Sequence, residues 1–266
     1  MTNEHLNELL KAGRLSAAIE QCTQGVKAAP ADTNRRSVLF YLLCFMGEYQ
    51  RAEQQLAVIE AQDSSAAMDV TACKKLLAAE AVRTQVFAEG VRPAFLSGIP
   101  DYVELHLEAV GCLQDQRFEK AKNLVEKASE IRPAFPGELN GQRFQDFQDS
   151  DELLGPVLET IVVGQYTWIP LEQVKSLSIS TPTTLSDSLW ISALVTFRNE
   201  IEVEVLVPVR YIGSHASDDE RIRLGRATTW DLVGDRELAR GMGQRRFFAD
   251  TTEYALLDAR TLTFDG

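Results

Sequence analysis

The chain is poor in the residues that usually carry chemistry. It has three histidines and four cysteines with no C-x-x-C pair, so neither a tetrahedral zinc site nor a dithiol couple finds its usual spacing. It contains no G-x-S-x-G elbow, no Walker loop and no H-E-x-x-H helix. Positive charge is scarce too: 27 lysines and arginines face 39 aspartates and glutamates, a net charge of −12. Such a surface repels phosphate backbones and anionic head groups, which argues against nucleic acid and membranes as partners. No run of eighteen apolar residues is present, and Met1-Thr2-Asn3-Glu4-His5 lacks the basic-then-apolar character of an export signal. A cytoplasmic protein is expected. Cys22, Cys44, Cys73 and Cys112 all fall in helix-like stretches of the first half and are expected to be buried free thiols.

What is present is an ordinary folding composition, 45% hydrophobic and 25% charged over 266 residues, long enough for about two domains. The first half repeats itself. Gly13-Arg14-Leu15-Ser16-Ala17-Ala18, Gly47-Glu48-Tyr49-Gln50-Arg51-Ala52 and Gln116-Arg117-Phe118-Glu119-Lys120-Ala121 align in one register. Ala18 to Ala52 is 34 residues, Ala52 to Ala121 is 69, and the closing Pro30 and Pro133 are 103 apart. A period of 34 with a turn residue, a bulky apolar residue, a small alanine and a closing proline resembles the tetratricopeptide repeat. The small alanines then let paired helices approach, Tyr49 and Phe118 join Phe45 and Met46 in the core, and the prolines end second helices. Residues 68–90 break the pattern and read as one long helix, with Leu76, Leu77, Ala81 and Val82 apolar and Lys74, Lys75 and Arg83 solvated. A stacked array of this kind leaves a concave groove suited to a peptide or helix.

After Pro133 the texture changes. Pro133-Ala134-Phe135-Pro136-Gly137 breaks the helix, and Gly141 to Phe147 shows neither a helical nor a strand period. A boundary is placed there, giving a helical-repeat domain over 1–140 and a β-rich domain over 141–266. Ile201, Val203, Val205, Val207 and Val209 alternate with polar residues as in a half-buried strand, paired through Arg198-Asn199-Glu200 with 190–197. Residues 157–163 and 166–169 read as another hairpin, 221–230 and 247–264 as further strands, and Pro208 as the mark of an edge or bulge. The expected fold is α+β: a tetratricopeptide-like α-superhelix, then a small bent antiparallel sheet with barrel-like closure and short helices.

Six stretches of the second half then carry a family resemblance. They are Asp149-Ser150-Asp151-Glu152-Leu153-Leu154-Gly155-Pro156, Gly164-Gln165-Tyr166-Thr167-Trp168-Ile169-Pro170, Leu185-Ser186-Asp187-Ser188-Leu189-Trp190, Pro208-Val209-Arg210-Tyr211, Arg226-Ala227-Thr228-Thr229-Trp230 and Gly241-Met242-Gly243-Gln244-Arg245. In this order and spacing, behind a repeat-like N-terminus, the chain resembles the ImpE/TagJ family, also called SciE-type virulence proteins. Ser186 stands where that family usually has arginine, which removes any contact made by that residue. The resemblance implies a cytoplasmic accessory component of the bacterial type VI secretion system, a contractile injection machine. It further implies binding to the N-terminal helix of the small sheath subunit, an indirect link to the sheath-recycling ATPase, no catalytic activity and no cofactor.

Several constellations compete with that expectation. Asp149, Asp151 and Asp187 have the oxygen ligands a divalent cation takes, but Asp151 and Asp187 also suit turns and caps, and no metal site is expected. His106 lies in a helical stretch as a packed or solvated imidazole, and His215 in a loop expected to be solvated. Arg221, Arg223, Arg226, Arg236, Arg240, Arg245 and Arg246 form the one cationic stretch of the chain. Their planar forks suit carboxylates on a partner, or internal pairs such as Asp187 with Arg210 or Arg245. Arg210, Tyr211, Trp230, Gln244 and Arg245 are expected to converge on one polar-aromatic partner site above Trp168 and Trp190, or to be the core of the sheet. The competing functional readings are a hydrolase or nucleotide-binding protein with its site in the second half, and a chaperone for secreted effectors.

Overall fold

The computed structural model describes residues 3–235 and 237–265, so Met1, Thr2 and Arg236 of the stretches singled out above lie outside the described residues. Seven helices come first: α1 Asn3–Lys11, α2 Leu15–Ala28, α3 Thr33–Phe45, α4 Tyr49–Gln62, α5 Ala67–Glu89, α6 Asp101–Gln114 and α7 Phe118–Ile131. The three aligned segments share one local geometry. α1–α2, α3–α4 and α6–α7 are joined by the same turn, in which Arg14, Glu48 and Arg117 donate to the carbonyls of Leu9, Leu43 and Cys112 at 2.9, 3.0 and 2.8 Å. That bond requires a left-handed residue just before the donor. Gly13 and Gly47 supply it at φ 71° and 73°, and Gln116 adopts it at φ 57° in the third copy. Ala18, Ala52 and Ala121 are each fully buried, as close helix approach demands.

Two expectations within the helices need correction. Phe118 is half-buried and sits outside the core, its Cβ packed against the backbone of Gly234 instead. Arg83 is not solvated: it is 3% exposed on the inner face of α5 beside Glu80 at 5%, while Ala81 faces solvent. The buried positions of α5, Val70, Ala79, Glu80, Arg83 and Val86, follow helical spacing, so the charges belong to the inward stripe. Of the cysteines, all free, Cys22, Cys44 and Cys112 are buried and Cys73 is half-buried.

Strands follow: β1 Gly137–Leu139, β2 Gln142–Phe144, β3 Phe147–Asp149, β4 Val157–Val162, β5 Gln165–Pro170, β6 Val174–Ile179, β7 Trp190–Phe197 and β8 Glu202–Pro208. A short helix α8, Glu220–Arg223, precedes β9 Thr228–Val233, β10 Leu238–Gly243, β11 Arg246–Ala249, β12 Thr252–Ala255 and β13 Thr261–Phe264. Eight strands form one sheet in the order β2-β1-β13-β6-β7-β8-β4-β5, larger than the small sheet expected; β9 and β10 pair separately, and β12-β11-β3 make a third sheet. The ladders are antiparallel. Residues 141–147 carry β2 and the start of β3, strands of three residues that are too short to display a period. Residues 221–230 hold most of α8 and the start of β9, where a single strand was expected. β8 is an interior strand of the sheet, but Pro208 sits at a local edge of it. It closes β8 opposite Trp190, beyond the single rung Ile161–Leu206 by which β4 meets β8, so no ladder bond needs its missing N–H.

One apolar cluster runs from Leu9 of α1 to Phe264 of β13, so the helical and β portions share a core. Among the described residues no helix is long and apolar enough to cross a membrane.

Candidate functional site

Where α5 crosses the sheet, the core is ionic. β4 reads Val157-Leu158-Glu159-Thr160-Ile161, and Glu159 points inward with the apolar residues at 0% exposure. An ionised carboxylate there is tolerable only if several donors converge on it. Arg83 of α5 supplies two, Nε to Oε1 at 3.0 Å and Nη2 to Oε2 at 3.1 Å, and gives Nη2 also to the Arg210 carbonyl at 2.8 Å. Arg245 donates Nη2 to Glu159 and Nη1 to Asp149 at 2.5 Å. The Tyr166 hydroxyl donates to Glu159 and receives Trp168 Nε1 at 2.7 Å. Around this knot, Trp190 Nε1 donates to Glu80 at 2.7 Å, Tyr211 donates to Asp149 at 2.8 Å, and Arg240 Nε meets Asp151 at 3.0 Å. Arg83, Arg210, Arg240 and Arg245 thus share one region with Glu80, Asp149, Asp151 and Glu159, which keeps it near neutrality.

Environment separates the carboxylates. Burial opposes ionisation of Glu159, yet Arg83 and Arg245 hold it down at about 2. At Asp149 burial wins: the carboxyl is pushed up to about 7, with Asp151 adding to the rise and Arg245 opposing it.

The seven residues expected to form a partner site do come together. Arg210 bridges Gln244 as an antiparallel pair, the Tyr211 and Trp230 rings lie 5.8 Å apart, and the Arg245 guanidinium sits 5.2 Å from the Tyr211 ring centre. They face inward. Trp168 and Arg245 are fully buried, Tyr211, Trp190 and Arg210 are 2%, 4% and 8% exposed, and Trp230 and Gln244 are half-buried. Five of the seven are therefore shielded from direct contact with a partner. Arg245 does not pair with Asp187, whose carboxylate accepts from the Thr183 and Thr184 amides at 2.8 Å and stabilises that turn; Asp149 and Glu159 are its partners. Arg210 uses its guanidinium on the Phe45, Cys44 and Arg223 carbonyls. Sequence reasoning missed Glu80, Arg83, Glu159 and Tyr166. The signal for Glu159 was available: a lone charge inside an apolar strand.

The other candidates resolve locally. Asp149 and Asp151 are engaged by arginines, and among the described residues no group of three or more His, Cys, Asp or Glu is arranged to hold a metal. His215 is half-buried, not solvated, because its ring packs where a side chain on Gly47 would stand. His106 is buried, and its Nδ1–H donates to the Leu153 carbonyl at 2.9 Å. Burial lowers its pKa to about 4, against the pull of that hydrogen bond. The folded state thus holds the imidazole neutral while the unfolded chain protonates near 6.5, so its contribution is complete above 6.5 and is lost as pH falls toward 4. Asp149 has the opposite sign, its contribution fading as pH rises from 3.8 to 7. Denaturant titrations of the native chain and His106→Gln separate the two. The stability advantage of the native chain should shrink by about 3 kcal/mol between pH 6.5 and 4; a constant difference contradicts the assignment.

Beside the ionic knot a trough opens to solvent. One stretch, about 940 Å³, lies between the first half of α5 and the face of β6, β7 and β8, with Met68, Thr71 and Lys75 on one side and Ser192, Leu194 and Leu206 on the other. A second stretch, about 510 Å³, continues between α3, α4 and α5 and reaches Trp190. The two share Ala72, Leu76, Ser192 and Leu206 and so form one channel. Met68 and Val163 stand 85% and 86% exposed along it, unusual for residues of their size. Trp190 connects trough and knot, lining the first and hydrogen-bonded to Glu80 of the second.

Comparison with known proteins gives likenesses of three kinds. The family model described as ImpE protein matches residues 141–263. A curated protein of Pseudomonas aeruginosa, the type VI secretion system accessory component TagJ, is 36% identical over 258 residues, 97% of this chain and 90% of that protein. The crystal structure of protein VPA1032 from Vibrio parahaemolyticus superposes with a TM-score of 0.90 at 25% identity, covering 98% of each chain.

Proposed function

The chain belongs to the ImpE/TagJ family, and from that premise we propose that it is a non-enzymatic accessory component of a type VI secretion system, acting in the cytoplasm. It works as an adaptor that holds the N-terminal helix of the small sheath subunit, and through that grip bears on sheath assembly and disassembly and, indirectly, on the recycling ATPase. The observation that carries this proposal is the likeness to a named accessory component over 97% of the chain. The geometry is compatible. Tetratricopeptide-like helix pairs and an open trough offer shaped surface, and the strongest acids and bases of the interior hold one another in ion pairs. Trp168, Trp190, Arg210, Tyr211, Trp230, Gln244 and Arg245 then act from behind that surface. They fix α5 against the sheet and so set the shape of the trough.

Size-exclusion chromatography of the purified chain mixed with the small sheath subunit tests this directly. Co-elution is expected with the intact subunit and not with one lacking its N-terminal helix. Separate elution of the intact subunit, or turnover of a nucleotide abolished by changing one carboxylate, contradicts the adaptor.

A further inference from the structure

We infer that the trough along α5 is the docking site for an amphipathic partner helix that carries an apolar stripe on one face and lysine or arginine residues at one end. The inference deepens the adaptor proposal and rests on it only for the source of the helix.

The shape of the floor selects a helix over an extended strand. It is made from the faces of β6, β7 and β8; β7 at its centre is paired with β6 and β8 along most of its length, while β13 covers half of β6 and β8 meets β4 at the single rung Ile161–Leu206. A strand laid across the face of β7 gains no main-chain hydrogen bonds, whereas a helix satisfies its own backbone and needs only side-chain contact. Ser178, Ser180 and Ser192 keep the floor low, and Leu194 and Leu206 supply apolar contact. Met68 and Val163, both almost wholly exposed, stand at the rim as adaptable apolar walls.

Charge sets the direction. The stretch between α3, α4 and α5 is lined by Asp63, Asp69 and Asp187, with no lysine or arginine among its described lining residues. Asp63 is held below the usual carboxylate range by bonds from the Ser65 side chain and backbone, and Asp187 by the Thr183 and Thr184 amides against its burial, so both stay charged at neutral pH. The far stretch carries one charge of each sign, Lys75 and Glu204. A cationic helix end therefore belongs at the Asp69 end. A second copy of this chain is disfavoured, because it brings a net charge of −12 to an acidic channel.

The test uses the full chain and two variants at exposed positions of α5, Ala72→Trp to fill the trough and Asp69→Lys to reverse its acidic end. Two labelled probes are titrated by fluorescence anisotropy: a peptide of the small sheath subunit's N-terminal helix, and a synthetic helix with leucines at i, i+3, i+4 and i+7 and lysines at one end. Ala72→Trp should weaken binding by about tenfold or more, and Asp69→Lys should weaken it by about threefold and flatten its salt dependence. If the sheath peptide binds the native chain and both variants equally, the trough inference is overturned and the adaptor stands. If the sheath peptide fails to bind the native chain, the adaptor fails, and the synthetic helix decides the trough. Binding of that helix lost in the variants supports the trough; no binding, or equal binding, overturns it.

Discussion

Arg245→Met is expected to lower the free energy of unfolding by about 3–5 kcal/mol, because it leaves buried carboxylates without their cation. Arg245 is fully buried and joins Asp149 to Glu159 through separate nitrogens of one guanidinium. Methionine fills comparable space, so packing loss is small and the effect isolates charge. Glu159 keeps Arg83 and Tyr166, whereas Asp149 keeps only the Tyr211 hydroxyl and the Asp151 amide. The double variant Arg245→Met with Asp149→Asn should therefore regain part of the loss. Arg245→Lys should not restore full stability, since an ammonium lacks the fork that spans two carboxylates. Equilibrium denaturation measures all three. A loss below about 1 kcal/mol for Arg245→Met, the level of an exposed ion pair, contradicts a structural role for the knot.

Gly243→Ala is expected to cost about 3 kcal/mol, close to the first in size and different in origin. Gly243 ends β10 at φ 97°, a conformation that L side chains rarely adopt, and a Cβ there would collide with the Ala227 carbonyl oxygen. Its amide donates to Ser214 Oγ at 2.8 Å, and its carbonyl accepts from the Tyr211 amide at 2.9 Å. It therefore seats Tyr211 and Gln244–Arg245 side by side. Unfolding and near-ultraviolet dichroism of the Trp230–Tyr211 pair should report the change together. An alanine variant of native stability means that the turn relaxes freely and does not fix the knot.

Local signals in the sequence were strong where structure is local. The register of Ala18, Ala52 and Ala121 found all three helix pairs because each copy carries its own turn and its own small contact residue. Alternation from Ile201 to Val209 found β8 for the same reason, one strand face being apolar. The eight-stranded sheet was not legible, since β1, β2 and β13 have three or four residues each and β1 meets β13 across more than 120 positions of sequence. Nor was the orientation of the arginines. Composition shows a cationic stretch on an acidic chain, but whether a guanidinium faces solvent or a buried carboxylate depends on a partner far along the chain. Arg83 and Glu159 lie 76 residues apart and Arg245 and Asp149 lie 96 apart. The trough has no motif at all, being the gap that α5 leaves over β6, β7 and β8.

Hydrogen exchange of the full chain, with and without the intact small sheath subunit, tests the central claim most directly, because it maps contact at backbone resolution. The account predicts slowed exchange in the first half of α5, in β7 and in β8, with the buried knot already protected in both states. Slowed exchange confined to the β9–β10 ribbon or to α6–α7, or none anywhere, would contradict a protein that works by cradling a partner's helix in the trough.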